Sequence, residues 1–436
     1  MMASFQIGFG EVDITPAEPL RLAGYYYERI STSTHDPLSV RCMAVSDGTT
    51  RAALCVADLL YPEEASVAAV RRRVAQETGL PETHLILSAV HTHTAPLCPP
   101  RPADRRPEEA AYMATLPAKL AAAVKQALDD LAPAELRIGR GEERTLQFIR
   151  RFRMRDGSVR TNPGIMNPDV VEALGTPDRD IFALLATVGG KAKGALVDFG
   201  LHCDTVGGTE ISADWTHYLR LHLQERLGAK AAILTPIGCC GDVNHWDVRT
   251  PADSGARGFA LTEKIGRTIG EAAWTALERA EPVHAGPVRA LRRTLEARTR
   301  MPSEQELAQA KALMATPAPQ GLDFTMDRVE ARRCIRVADF GSVAKLDLTV
   351  LSFGDVALVA VPAEYFSELG RDIKARSPFR HTILITLAER TLGYIGARHN
   401  YAEGGYEMTS SLFAPGAGEQ IAETAVAMLK EIAPGG

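Results

Sequence analysis

No stretch of this 436-residue chain reaches the roughly 20 consecutive apolar residues that a membrane helix needs, so an integral helical membrane protein is excluded. The N-terminal run from Met1 to Gly8 has neither the basic start nor the apolar stretch of a signal peptide, and the expected location is cytoplasmic. Cysteine is sparse. Seven are scattered at 42, 55, 98, 203, 239, 240 and 334, odd in number and without a CxxC, which speaks against a disulfide framework and for reduced thiols. An excess of positive charge is missing too. With 49 Lys and Arg against 54 Asp and Glu, the formal charge of −5 supplies no general field for nucleic acid or anionic lipid. The arginines at 150, 151, 153, 155 and 160 therefore read as a solvated or substrate-facing hairpin, and nucleic-acid binding is not expected. There is no HExxH helix, which removes the zincin route, and no short repeat or low-complexity segment.

What remains is an ordinary globular composition, 45% hydrophobic and 24% charged. Its length fits two to three domains or one large α/β unit, and the expectation is one large domain over 1–436. A candidate subdomain boundary lies near 285–325, where the Pro-rich stretch 317–319 falls. Strands are predicted at 52–57 and 85–90, with helices at 63–78 and 107–131, an alternation that argues for α/β layers. Hairpins are predicted around Asp156-Gly157 and Gly189-Gly190. Helices follow at 215–227, 259–280 and 302–316. The last third returns to strands at 344–353, 356–361 and 382–387, with a helix at 365–375.

The chemistry gathers where these strands end. His91-Thr92-His93 follows 85–90; read as a strand, that run points His91 and His93 to one side. His202 and Asp204 follow 195–201. Gly238-Cys239-Cys240-Gly241-Asp242-Val243-Asn244-His245 follows 231–235, and Glu364 follows 356–361. Glu389, Tyr394 and Tyr406-Glu407 follow 382–387. Ligand sites of α/β proteins collect at the carboxyl ends of strands. Each element also has a plainer reading: His202 as a core histidine, Glu364 as a helix cap, Tyr394 as packing and Gly238 to Gly241 as a tight turn. Together, two histidines, a carboxylate and an oxygen donor make a plausible zinc shell with room for water or substrate.

These residues resemble the neutral (alkaline, non-lysosomal) ceramidases, specifically their N-terminal catalytic domain. The resemblance is carried by Gly8-Phe9-Gly10-Glu11-Val12-Asp13-Ile14-Thr15-Pro16, by His91-Thr92-His93-Thr94-Ala95-Pro96 and by Phe199-Gly200-Leu201-His202. It continues through Gly241-Asp242-Val243-Asn244, Pro362-Ala363-Glu364 and Gly393-Tyr394, with Tyr406-Glu407 twelve residues on. The blocks run in family order over nearly the whole chain, and the ordered set is specific where no single block is. The resemblance implies a layered mixed β-sheet core flanked by helices, without the C-terminal immunoglobulin-like domain of ceramidases. It implies zinc held by His91, His202, Glu364 and Tyr394. It also implies His93, Arg150 and Tyr406 facing the reacting carbonyl, with Arg151 one step from Arg150. At the place of a family serine implicated in catalysis this chain has Gly238.

The expected function is zinc-dependent hydrolysis of an amide or ester by metal-activated water, of the kind that serves lipid and sphingolipid metabolism, on a small-molecule acyl substrate. The missing serine points away from long-chain ceramide and towards a smaller, more polar amide, ester or lactone. Two alternatives stand beside this reading: Cys239 or Cys240 as a nucleophile, and a non-catalytic, metal-containing ligand-binding protein.

Overall fold

The computed structural model describes residues 5–99, 101–251, 257–284, 286–318 and 324–433. Three mixed sheets form its centre. In the first, Leu85–Ala89, Arg51–Ala57, Ser39–Ser46, Gln6–Asp13 and Ala132–Pro133 lie side by side in that order. The second runs Ala232–Leu234, Lys191–Asp198, Asp180–Val188, Glu135–Glu142 and Glu281–Pro282. The third runs Val288–Arg298, Val343–Phe353, Val356–Ala360 and His381–Ile385. Each sheet contains one parallel pair among antiparallel neighbours: Arg51–Ala57 with Leu85–Ala89, Lys191–Asp198 with Ala232–Leu234, and Val356–Ala360 with His381–Ile385. The α/β layering expected from the sequence is what the chain adopts.

The near-continuous apolar strands reflect burial on both faces. In the first sheet Met43, Val45, Leu54, Val56 and Ile86 enter a core shared with Leu184, Leu196, Leu358 and Ile383 of the other two sheets. The alternate residues Cys42, Ala44, Cys55, Leu85 and Leu87 face a second core completed by Val70, Leu116 and Val124 of the helices Glu64–Thr78 and Pro107–Asp129. The third sheet repeats this plan: Leu346, Leu348 and Val359 pack with Ile421 and Val426 of the helix Ala417–Glu431. Period-two side-chain alternation thus sorts each strand between a sheet-facing and a helix-facing core.

Local signals set the helix ends. Glu63 caps Glu64–Thr78 by accepting from the amides of Ala65 and Ser66, and Gly79 ends it at φ +70°. The helix Trp215–Leu227 begins at Asp214, whose carboxylate also takes the amides of Thr205 and Val206. Both hairpins form at the expected turns, as Arg151–Met154 with Val159–Thr161 and as Asp180–Val188 with Lys191–Asp198. The exposed helix expected near 302–316 is Glu304–Ala315, and of the Pro-rich stretch behind it Pro319 lies outside the described residues. Among the described residues no helix is long and apolar enough to cross a membrane.

The parallel pairs bring the three sheets to one place. Their carboxyl ends are tied together by main-chain bonds from Ala89 to Leu387 (3.2 Å) and from Thr386 to Ile237 (2.8 Å). His91, His202 and Glu364 follow these ends within four residues, and Gly241 within seven.

Candidate metal centre

The strand before His91 stops at Ala89, so strand alternation is not what aims the two histidines of the tripeptide. Instead the chain turns: His91 sits at φ +68°, a left-handed conformation uncommon outside glycine. Its amide donates to Leu59 (2.9 Å), and the hydroxyls of Thr92 (2.7 Å) and Thr94 (3.0 Å) both donate to the Ser212 carbonyl. The result is still convergence. The rings of His91 and His93 lie 5.0 Å apart, and His91 and His202 lie 4.9 Å apart. One nitrogen from each of His91, His93 and His202 falls within 4.8 Å of the others.

These three buried histidines are not held alike. His91 donates its Nδ1 proton to the Leu60 carbonyl and His202 donates its own to Cys240, both at 2.8 Å. A carbonyl can only accept, so Nδ1 of each ring carries a proton and Nε2 faces inward. Both Nε2 atoms lie 3.3 Å from Oε2 of Glu364, which accepts no hydrogen bond. Burial, reinforced by the Arg150 guanidinium, lowers the His202 pKa to about 4, so this ring is neutral near pH 7. The neutral His202 ring therefore turns its Nε2 lone pair towards a carboxylate oxygen that His91 Nε2 also faces. A cation placed between them would be met by nitrogen and oxygen donors of the kinds that bind divalent metals, zinc among them.

Tyr394 completes this floor from 30 residues further on. Glu364–Tyr365 and Tyr394–Ile395 form a two-residue parallel ladder in which Glu364 and Tyr394 are direct partners. The ladder sets their side chains as neighbours on one face. Burial pushes the Tyr394 phenol well up; Arg150, 5.2 Å from the ring, opposes that and Glu364 adds to it. The segment Gly241-Asp242-Val243 works from below. A Cβ on Gly241 would lie 2.4 Å from the Glu364 carbonyl, so only glycine allows this approach. Asp242 accepts from the amide (2.9 Å) and hydroxyl (2.7 Å) of Ser367 just past Glu364.

Arg150 and Arg151 share the Glu407 carboxylate, Arg151 at 3.8 Å, and otherwise diverge. Arg150 reaches the pocket: its Nε donates to Glu407 (2.7 Å), one terminal nitrogen donates to Gly241 (2.9 Å), and the other lies 3.5 Å from His202 Nε2. Arg151 turns to Glu403 and the Gly404 carbonyl. Glu407, fully buried, is the anchor for Arg150 and also accepts from Thr161 (2.6 Å).

Above this floor opens a pocket of about 690 Å³ whose walls include His93, Arg150, His202, Tyr394 and Tyr406. Neither ring nitrogen of His93 makes a hydrogen bond; Nδ1 lies 3.5 Å from Asp204, whose carboxylate is already taken by Tyr25 and by Arg257. Tyr25, Tyr26, Arg257 and Phe324 were not singled out in the sequence. The run Tyr25-Tyr26-Tyr27, in a chain only 6% aromatic, was the signal available.

Two other sequence candidates leave the site. Glu389 is buried against Arg71 and accepts from Thr349 (3.1 Å). A Cβ on Gly238 would lie 3.3 Å from both oxygens of Asp198, so a serine there aims at that buried carboxyl and not into the pocket. The thiols of Cys239 and Cys240 are buried and pushed up, Cys239 well above the thiol range, which counts against either as a nucleophile.

No protein-family model matches the sequence, and no curated protein matches it. Solved structures do. The neutral ceramidase of Pseudomonas aeruginosa aligns with a TM-score of 0.76 over 99% of this chain and 75% of that one, at 18% identity. This chain has the neutral ceramidase fold. A ceramidase complexed with C2 aligns equally well, with a TM-score of 0.76 and 18% identity over 98% of this chain and 76% of the other. In this chain the fold gathers blocks that lie far apart in sequence. It brings His91, His202, Glu364 and Tyr394 to one floor, with His93, Arg150 and Tyr406 lining the pocket above.

Proposed function

We propose that this protein is a zinc-dependent hydrolase of an amide or ester bond, with zinc held by His91, His202, Glu364 and Tyr394. The observation that carries the reading is the meeting of two inward Nε2 atoms, each 3.3 Å away, on a buried Glu364 oxygen. A zinc ion bound there supplies a Lewis acid and lowers the pKa of a coordinated water. The residues around it divide the remaining work. Main-chain carbonyls of Leu60 and Cys240 fix the two ligand rings and raise their basicity. Glu364 offsets one unit of the ion's charge. Arg150 and Tyr406 donate to the oxygen on which negative charge develops, a role commonly worth about 3 kcal/mol per donor. His93, free at both ring nitrogens and kept neutral by burial, accepts a proton at one and returns it to the leaving group.

The proposed substrate is a small polar acyl compound, an amide, ester or lactone, before long-chain ceramide. Support comes from the pocket wall, where the Arg257–Asp204–Tyr25 cluster stands beside His93 and offers polar groups to hydroxyls or charge. The serine–glycine difference at 238 is weaker support than the sequence alone suggests, because that position faces Asp198. Metal analysis of the purified protein, with a panel of amides, esters, lactones and ceramide, tests the reading. One zinc per chain with turnover of a small acyl compound is expected. Zinc without turnover on any member would favour a ligand-binding protein, and efficient ceramide cleavage would overturn the substrate assignment.

A further inference from the structure

The loop that carries the three consecutive tyrosines is closed at its base by a main-chain bond from Leu22 to Arg29 (2.8 Å). It is pinned by the Arg29 guanidinium, which donates to the His93 carbonyl (2.6 Å) and to Gly208 (2.8 Å). The loop rides close over the site because residue 24 is glycine: at φ +93°, a Cβ there would lie 2.4 Å from the His93 ring. This approach places the Tyr26 hydroxyl 2.9 Å from the hydroxyl of Tyr406, a residue 380 positions away. Among the described residues, this is the one hydrogen bond of either hydroxyl.

Rings hold both phenols in place. Tyr406 packs edge-on against Tyr394 (5.5 Å) and Phe324 (5.4 Å), and Tyr26 carries the Arg332 guanidinium 4.7 Å over its face. Packing fixes a ring plane but not the direction of its O–H proton, which rotates to suit its partner. When two hydroxyls share one bond, one donates and the other keeps its proton for a third group. With Tyr26 as donor, the proton of Tyr406 is free for an oxygen in the pocket, and the bond it receives strengthens the bond it gives.

We infer that Tyr26 is a positioning residue: its hydroxyl donates to Tyr406 and thereby sets the Tyr406 phenol as a donor to the reacting carbonyl. The assignment rests on the hydrolase reading above and extends it to a residue outside the resemblance. Removing the Tyr26 hydroxyl leaves Tyr406 in place but lets its proton wander, so turnover falls while ground-state binding changes little.

The test uses the zinc-loaded variants Tyr26→Phe, Tyr406→Phe and the double variant. For Tyr26→Phe, a kcat loss of roughly tenfold with KM within about threefold is expected, and the double variant should be no slower than Tyr406→Phe alone. Melting temperatures of the same set read the hydroxyl pair without any substrate, and the double variant should lose less than the sum of the singles. If the wild-type protein turns over nothing, the hydrolase reading fails by itself. Acetohydroxamate binding to the zinc-loaded protein then decides the pair, with Tyr26→Phe weakening it severalfold only where Tyr406 is present. Additive melting shifts, or wild-type kcat and hydroxamate affinity in Tyr26→Phe, would overturn the inference.

Discussion

His91 and His202 each give their Nδ1 proton to a main-chain carbonyl 2.8 Å away, whereas the ring of His93, close to both, makes no hydrogen bond. The same contrast separates the floor of the pocket from its wall. The floor is made of strand ends locked by backbone, and its polar atoms converge between the side chains. The wall is a loop of tyrosines, an arginine and an exposed phenylalanine, joined to the floor through side-chain hydroxyls and ring edges. Groups fixed by main chain are suited to hold an ion in strict geometry, and groups with a free rotor are suited to follow a reacting substrate.

Substitution can break this contrast. His91→Ala or His202→Ala should empty the site of metal and cost turnover ~10³-fold or more, read by elemental analysis and steady-state kinetics. His93→Ala should keep its metal and lose roughly 10²–10³-fold in turnover. If His93→Ala empties the site while His91→Ala does not, the roles within the tripeptide are reversed.

Acid sharpens the contrast without substrate. The folded-state pKa of His202 is lowered to about 4, by burial first and then by Arg150, against roughly 6.5 for an unfolded histidine. Between these values the unfolded chain binds a proton that the folded one refuses. The metal-stripped protein should therefore lose about 3 kcal/mol of stability from this residue as pH falls from about 6.5 to 4, and no more below that. Melting temperature against pH checks this, and His202→Gln should flatten the curve.

Two glycines give the smaller effects. Gly24→Ala drives a Cβ into the His93 ring, and should cost roughly 10–100-fold in turnover with metal retained. Gly238→Ser points at Asp198, so turnover should stay within about threefold of wild type; a large gain would return that position to the reaction.

The place of the floor was legible because its histidines and Glu364 follow apolar strands, and strands buried on both faces are plain to read. The helix Trp215–Leu227 and both hairpins were equally open, since each has a cap or a Gly turn at its end. The left-handed turn at His91 was not, because its cause lies in Leu59 and Ser212, remote in sequence. The ladder joining Glu364 to Tyr394 is two residues long and has no pattern of its own. Glu389 follows its strand as Glu364 follows another, yet only the packing of Arg71 shows which carboxylate is spent on structure. The tyrosine wall was unread for the same reason: its partner stands at the other end of the chain.

Anomalous diffraction at the zinc edge reads the proposed ligand set itself. Protein stripped of metal and given one equivalent of zinc should show one peak, about 2.0–2.2 Å from Nε2 of His91, Nε2 of His202 and a Glu364 oxygen, with the Tyr394 phenol as fourth ligand. A peak ligated by His93 in place of one of these, or no peak at this floor, would contradict the account.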